Sequence, residues 1–222
     1  MQYLYHPDAS EPSLELIGDA HRYLFKVRRH RVGEQVHLRN LKNGILYTYL
    51  ISSMDKKTAL LKLETQRELH IVSERKLHIA WCMIDPKSIE KMLPSLNEIG
   101  VEKITFIYCD RSQKQFKLDL ARLEKILLNS SQQCGRSEMM TLDFADSLEV
   151  FIEKYPDTCL LHFSKNHLTK ESDIGSVIVG CEGGFSEAEV LLFSSDKTIG
   201  LDTPLILRSE SAVTAVASKL LL

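Results

Sequence analysis

The sequence predicts an α/β protein with a second, smaller and strand-rich part at its N-terminus. From about residue 77 onward, strand-like and helix-like segments alternate, which is typical of a mostly parallel sheet with helices on both faces. Between residues 21 and 65 the apolar runs are short and separated by turns, which favours a small antiparallel β-barrel. The polar stretch 66–75 predicts a linker. We therefore expect one domain over residues 1–70 and another over residues 71–222.

The strands of the N-terminal part are predicted from β-rich runs at residues 35–38, 45–51 and 58–63. Asn43-Gly44 is a strong hairpin signal between the first two runs. An open edge or mouth of such a barrel can bind a polymer.

Four strands and four helices are predicted in the C-terminal part. The strands are residues 77–83, 104–109, 158–163 and 176–179, and the helices are 88–99, 117–133, a segment starting at Glu187, and 209–222. Gly100 predicts the end of the first of these helices. The N-terminus has no basic and apolar signal pattern, and no apolar run approaches the roughly 18 residues of a membrane span. We expect a cytoplasmic protein that does not enter a membrane.

Positive charge is concentrated near the N-terminus, although the whole chain carries a net charge of −2. The segment 21–31 is rich in cations and aromatic residues and contains no acid. Such a segment can neutralise backbone phosphates, and it predicts contact with nucleic acid. The alternative is a solvated helix face with Tyr23, Leu24 and Val27 turned inward. The candidate RNA-binding residues are Arg22, Lys26, Arg28, Arg29 and Arg31.

The chain has 5 cysteines, which are widely spaced and form no Cys-x-x-Cys pair. This pattern argues against a zinc site and against a disulfide framework. Cys82, Cys109 and Cys159 lie in apolar runs, and we interpret them as small hydrophobic residues of the core.

A glycine-rich loop follows the apolar run 176–179 and precedes the helix that starts at Glu187. Its spacing, Gly-x-x-Gly-Gly over residues 180–184, does not match a P-loop, because no lysine follows the glycines. It also lacks the Gly-x-Gly-x-x-Gly spacing and the early position of a dinucleotide fingerprint. Three glycines still allow a close approach of the backbone to a ligand, although a tight structural turn would explain them equally well.

Segments elsewhere in the sequence narrow the interpretation of this glycine loop. Residues 180–186, with Glu189 after them, resemble the Gly-Pro-Glu-Gly-Gly-Phe-Ser signature of bacterial 16S ribosomal RNA (uracil-N3)-methyltransferases, which belong to the SPOUT superfamily. Further segments resemble that family in the same order along nearly the whole chain: residues 21–33, 97–101, 110–112, 133–136 and 207–212. Cys181 stands where the family usually has proline, and Ser95 stands where a lysine is usual.

The resemblance implies a SPOUT domain whose C-terminal segment forms a trefoil knot, preceded by a PUA-like RNA-binding barrel. It implies S-adenosylmethionine (SAM) as methyl donor and no metal. It also implies 16S rRNA or the small ribosomal subunit as partner, and a homodimer that buries the apolar last helix. The implied cofactor-binding residues are Leu161, His162, Phe163, Gly180, Glu182, Gly183, Gly184, Leu201, Ile206 and Leu207. Without the resemblance, the apolar members of this set would be taken as ordinary core.

The implied reaction is methylation of N3 of one uridine in the decoding region. Because N3 carries a proton, the site must remove that proton or stabilise the anion on the uracil oxygens. We expect Arg136, Arg208 and Glu210 to serve catalysis, with Glu182 as an alternative to Glu210, and Arg111 to contact RNA. An ordinary salt bridge is the alternative for each arginine. The changes at Ser95 and Cys181 leave open a non-catalytic RNA-binding or ribosome-assembly factor with the same fold.

Overall fold

A computed structural model describes residues 3–222 of the chain, which form two compact units. The first unit comprises the chain up to Val72 together with Leu128–Met139. The second comprises Ser73–Leu127 and Met140–Leu222. The division into residues 1–70 and 71–222 stays a prediction.

The first unit is built on a curled five-stranded sheet. Its elements are β1 (Leu4–Tyr5), β2 (Ser13–Ile17), α1 (Gly18–Arg22), a π-helical turn (Tyr23–Val27), β3 (Gln35–Arg39), β4 (Ile45–Met54) and β5 (Thr58–Glu68). The strand order is β1-β3-β4-β5-β2. The β1–β3 pair is parallel and the other pairs are antiparallel. Alternate residues of these strands, such as Leu38, Tyr49 and Leu61, form a fully buried core.

The predicted linker proves to be partly strand. Residues 66–68 continue β5, and Gln66 and Glu68 pair with Tyr47 and Ile45 of β4. Their side chains are exposed, so the polar composition reflects a solvent-facing stretch of hairpin rather than a break in structure.

The second unit is an α/β layer structure, as predicted. Its elements are β6 (His78–Cys82), α2 (Pro86–Ile99), β7 (Lys103–Ile107), α3 (Leu120–Cys134, whose last residues belong to the first unit), β8 (Thr141–Ala145), α4 (Leu148–Lys154), β9 (Cys159–Leu161), β10 (Ser176–Val179), α5 (Glu187–Leu191), a 3₁₀ turn (Ser195–Lys197), β11 (Thr198–Ile199) and α6 (Ser209–Leu221). Its sheet has the order β11-β9-β10-β6-β7-β8, with every pair parallel.

Strand β6 occupies the interior of this sheet and is buried along its whole length. Its neighbours are β10 and β7, and Trp81 is in register with both Val179 and Phe106. Because all three strands are parallel, the loops that follow them emerge at the same edge of the sheet. The functional candidates of this unit lie at that edge.

Local signals explain the boundaries of the helix α2. Asp85 caps its first turn by accepting a hydrogen bond from the Ser88 amide at 3.2 Å, and Pro86 occupies the first helical position. Gly100 ends it with φ of 110°, a conformation that glycine adopts without penalty. The helix therefore begins two residues before the predicted Ser88 and ends where predicted. Helices α2 and α6 pack against each other.

The structure joins Cys82 and Cys109 in a disulfide, which the cysteine spacing did not predict. Both are buried, as expected of core residues. The pairing follows from the parallel register, since Cys82 lies beside Ile107 and Cys109 is two residues further along the same edge. Cys159 is a free, half-buried thiol. Within residues 3–222, no helix is both long and apolar enough to cross a membrane.

Candidate cofactor site

The glycine-rich loop over residues 180–186 connects β10 to α5 at the carboxyl edge of the sheet. Gly184 has φ of 66°, and its amide donates a hydrogen bond to the Cys181 carbonyl oxygen at 3.0 Å, which closes a tight turn. The Ser186 hydroxyl then caps α5 by accepting from the Glu189 amide. The loop is thus a strand-to-helix turn that exposes backbone on its concave side.

A cavity of about 420 Å³ lies against this loop. Its walls come from three segments: the end of β9 with the residues after it, the glycine loop, and the stretch from Gly200 to the start of α6. Every residue predicted to bind the cofactor lines it: Leu161, His162, Phe163, Gly180, Glu182, Gly183, Gly184, Leu201, Ile206 and Leu207. The volume falls within the range of small-molecule sites, roughly 300–1,000 Å³.

Sequence reasoning missed several further lining residues: Ser164, His167, Thr203, Leu205, Ser209 and Ala212. Ser164 and His167 follow β9 in an irregular stretch with no recognisable motif. Ser209 and Ala212 lie within the segment 207–212 that carried the resemblance, so their proximity to Leu207 was the available signal.

Gly200 brings two walls of the cavity together. A Cβ atom at this position would lie 2.5 Å from the Ser164 carbonyl oxygen, so no side chain fits. The Gly200 amide donates to Asn166, and its carbonyl accepts from the Leu168 amide. The segment after β11 is thereby held against the segment after β9.

Three side chains, those of Ser209, Arg111 and Glu189, fix the glycine loop. The Ser209 hydroxyl donates to the Gly180 carbonyl and accepts from the Trp81 indole N–H. The Arg111 guanidinium donates to the Gly183 carbonyl at 2.8 Å. Glu189 is buried, and its carboxylate accepts from the amides of Ser186 and Asp110 at 2.8 and 2.9 Å. The loop is therefore held at its beginning, middle and end.

Comparison with known proteins supplies the context for this geometry. The family model described as "RNA methyltransferase domain" matches residues 72–221, and the one described as "RNA methyltransferase PUA domain" matches residues 16–64. Ribosomal RNA small subunit methyltransferase E of Helicobacter pylori is 40% identical over 222 residues, which covers 98% of each chain.

The chain belongs to the ribosomal RNA small subunit methyltransferase E family.

Solved structures share the fold of this chain. A Legionella pneumophila protein described as a methyltransferase, solved with bound SAM, is 28% identical with a TM-score of 0.79 and covers 97% of this chain and 95% of its own. The methyltransferase E of Neisseria gonorrhoeae, solved bound to SAM, shares the fold at 19% identity with a TM-score of 0.78, over 98% of this chain and 95% of its own. The predicted combination of a methyltransferase domain with a PUA domain is confirmed.

The three predicted catalytic residues belong to different units of the structure. Arg136 is buried in the first unit, where its carbonyl accepts from the Tyr3 hydroxyl at 2.8 Å. Arg208 is exposed and precedes the first turn of α6, directly between the cavity residues Leu207 and Ser209. Glu210 follows them, and within the described residues its Oε2 atom is buried without a hydrogen-bond partner. Arg208 and Glu210 are sequence neighbours of the cavity residues Leu207 and Ser209, but neither of them lines the cavity.

The predicted RNA-binding cations of the first unit are all exposed: Arg22, Lys26, Arg28, Arg29 and Arg31. They lie on α1, the π-helical turn and the loop after it, above the buried Leu24 and Phe25. The alternative interpretation of this segment placed Val27 inward, but the residue is 62% exposed. The π-helical turn shifts the side-chain periodicity away from that of an α-helix, so the inward positions become 24 and 25.

Proposed function

We propose that this chain transfers a methyl group from SAM to N3 of a specific uridine in the decoding region of 16S rRNA. The observation that carries the proposal is the cavity at the glycine loop, whose lining includes the whole predicted cofactor set in a chain of this family. Its recognised relatives include a protein solved with bound SAM at 28% identity.

The cavity suits SAM chemically. Leu161, Leu201 and Ile206 offer apolar surfaces for an adenine ring, and the glycines offer backbone groups without side-chain obstruction. Glu182 is the carboxylate among the described lining residues, and it complements the positive charges of a sulfonium and an ammonium group. When bound, SAM supplies an electrophilic methyl group and leaves as a neutral thioether.

Two residues at the start of α6 are proposed to act on the uracil base. In the proposal Glu210 accepts the N3 proton, since it has a carboxylate oxygen without a partner among the described residues and follows the cavity residue Ser209. Arg208, two residues earlier in the sequence, is exposed, and in the proposal it stabilises the negative charge that develops on the uracil oxygens. Arg136 is assigned a role in orienting the substrate.

Substrate binding is assigned to exposed cations on each unit. In the first unit these are the cations of segment 22–31, and in the second unit Arg111, which is also exposed. Phosphate contacts of this kind position an RNA without reading its sequence. Because N3 is hidden in a base pair, the target uridine must be unpaired or flipped out of its stack. The partner is 16S rRNA or the small ribosomal subunit.

The proposal includes the trefoil knot. Strand β11 lies at the edge of the sheet beside β9, yet Ser209, ten residues later, bonds to Gly180 after β10 and to Trp81 of β6. The chain therefore returns across the ends of two strands before α6 begins. Threading of this return segment through the loop after β9 would produce a knot of the SPOUT kind.

Calorimetry with SAM tests the cofactor assignment directly. Saturable binding of one SAM per chain supports an enzyme. No binding at millimolar SAM would instead favour an assembly factor that keeps the fold. Mass mapping of 16S rRNA from a strain lacking this gene then tests the substrate, because persistence of every uridine methylation contradicts the assignment.

A further inference from the structure

Glu189 is a buried carboxylate outside the cavity lining, and the mechanism above gives it no role. It lies on α5, and only 4% of its surface is exposed. Glutamate is rarely buried to this degree unless its charge is satisfied by hydrogen bonds or an opposite charge. Here its two oxygens accept from two backbone amides, those of Ser186 and Asp110.

These two amides belong to different loops. Ser186 ends the glycine loop after β10, whereas Asp110 lies in the loop after β7. Strands β10 and β7 are not neighbours, because β6 lies between them. The Glu189 carboxylate therefore joins two loops that extend past the end of the intervening strand.

Two further bonds run between the same loops. The Ser186 hydroxyl donates to the Asp110 carboxylate at 2.6 Å, and Arg111 donates to the Gly183 carbonyl at 2.8 Å. Both involve exposed side chains, which solvent and ions weaken. The Glu189 side chain is itself buried, so its two hydrogen bonds are less open to solvent and ions than the other two.

We propose that Glu189 is a positioning residue for the cofactor: it fixes the second half of the glycine loop, Gly183–Ser186, against the loop after β7. The inference rests on the proposed SAM site and adds a residue that touches neither SAM nor RNA. Its loss should raise the mobility of residues 183–186 and the entropic cost of ordering them around the cofactor.

The test compares E189A and E189Q with the control E187Q. Glu187 is an exposed carboxylate on the same helix, two residues earlier. E187Q therefore removes a similar charge without breaking the hydrogen bonds by which Glu189 bridges the two loops. Glutamine at 189 keeps one accepting oxygen but turns its NH2 group toward the other backbone amide, so E189Q loses part of the bridge while nearly preserving shape.

The expected result is a rise in the Kd and KM for SAM of about tenfold or more in E189A, the scale of one lost charge-assisted hydrogen bond. E189Q should show a smaller rise, and E187Q should match the wild type. The kcat at saturating SAM should change by less than about twofold in all three, since no catalytic group is altered. Amide hydrogen exchange over residues 183–186 should accelerate in E189A without added SAM.

The opposite results overturn the inference. Suppose that the unfolding midpoint of E189A or E189Q falls while its Kd for SAM and its amide hydrogen exchange at residues 183–186 match the wild type. Glu189 then contributes only to general stability. If E189A does not fold, E189Q decides the question by the same measurements. If the wild-type chain does not bind SAM, the proposed function fails together with this inference. If the wild type binds SAM and the Kd and exchange rate of E189Q are unchanged, this inference alone fails.

Discussion

Individual residues at the cavity show how closely its segments approach one another. Gly200 is the tightest case, because the atoms that a side chain would meet are the backbone oxygen and nitrogen of Ser164, at 2.5 and 3.0 Å. Backbone atoms within a hydrogen-bonded segment cannot rotate away as a side chain can. Relief would require the segment after β9 to move away from the segment after β11.

Gly200→Ala should therefore destabilise the fold by about 1–3 kcal/mol, the range for forced overpacking, and weaken SAM binding. Gly175→Ala is the matched control, because a Cβ atom there meets only the Lys76 carbonyl oxygen at 4.0 Å. Urea unfolding and calorimetry of both variants measure the two effects. Equal stability and equal SAM affinity in the two variants would show that the segments are not packed as described.

Glu210 is the residue on which the proposed chemistry depends most. Glu210→Gln keeps the size of the side chain but removes the group that accepts the N3 proton. The kcat should fall by about 10²–10⁴-fold, the range for loss of a general base, while the Kd for SAM stays unchanged. Single-turnover methylation with saturating SAM measures this. A kcat within twofold of wild type would exclude Glu210 as the base.

At the scale of elements, periodicity predicted the long segments and missed the short ones. Strand β6 is a continuous apolar run and α2 has clear capping residues, so both were predicted to within two residues. Strands β8 and β11 were missed. The first is largely half-buried or exposed at the sheet edge, and the second has only two residues. Such segments become strands through pairing with a neighbour rather than through their own sequence.

The packing of β6 against α4 creates a pH-sensitive contact. The His78 ring lies edge-on to Phe151 and Tyr155, at centroid distances of 5.3 and 4.6 Å. Burial lowers its pKa from 6.5 to about 4, and the nearby Lys103 ammonium acts in the same direction. The Asp143 carboxylate opposes the shift but does not reverse it.

Because the unfolded chain protonates this imidazole first, the free energy of unfolding should fall as the pH drops from about 6.5 toward 4, by at most about 1.4 kcal/mol per pH unit. In His78→Gln the free energy of unfolding should decline less steeply over the same pH interval. At pH 7.5 it should already be lower than that of the wild type. An exposed control, His70→Gln, should keep the wild-type slope. Urea titrations at several pH values decide this; an unchanged slope in His78→Gln contradicts the account.

At the scale of the whole molecule, the features that sequence could not predict are those that join distant segments. Residues 128–139 belong to the first compact unit although they lie far along the chain, and this places Arg136 there. The Cys82–Cys109 bond depends on strand register, which cysteine spacing does not reveal. Much of the cofactor cavity was predictable because two of its walls, the glycine loop and the stretch up to the start of α6, carried segments of the family's motifs, whereas the wall after β9 carried none.

The homodimer stays a prediction, but α6 is no longer the surface expected to form its interface. The apolar face of α6 is already covered within the chain, where α2 and β10 pack on it. Exposed apolar surface remains instead at the cavity, where Phe163, Leu205 and Ile206 are 75%, 69% and 83% exposed. Patches of this kind mark binding sites or subunit contacts. Sedimentation at micromolar concentration should show a dimer of the 25.3 kDa chain; a monomer alone would contradict the prediction.

The central claim is tested most directly by incubating small ribosomal subunits from a strain lacking this gene with the purified chain and SAM bearing a deuterated methyl group. Nuclease digestion followed by nucleoside mass spectrometry then locates the label. The account predicts labelled 3-methyluridine at one position in the decoding region of 16S rRNA, and little in the Glu210→Gln reaction. Label on another nucleoside, or no label while SAM binds, would contradict it.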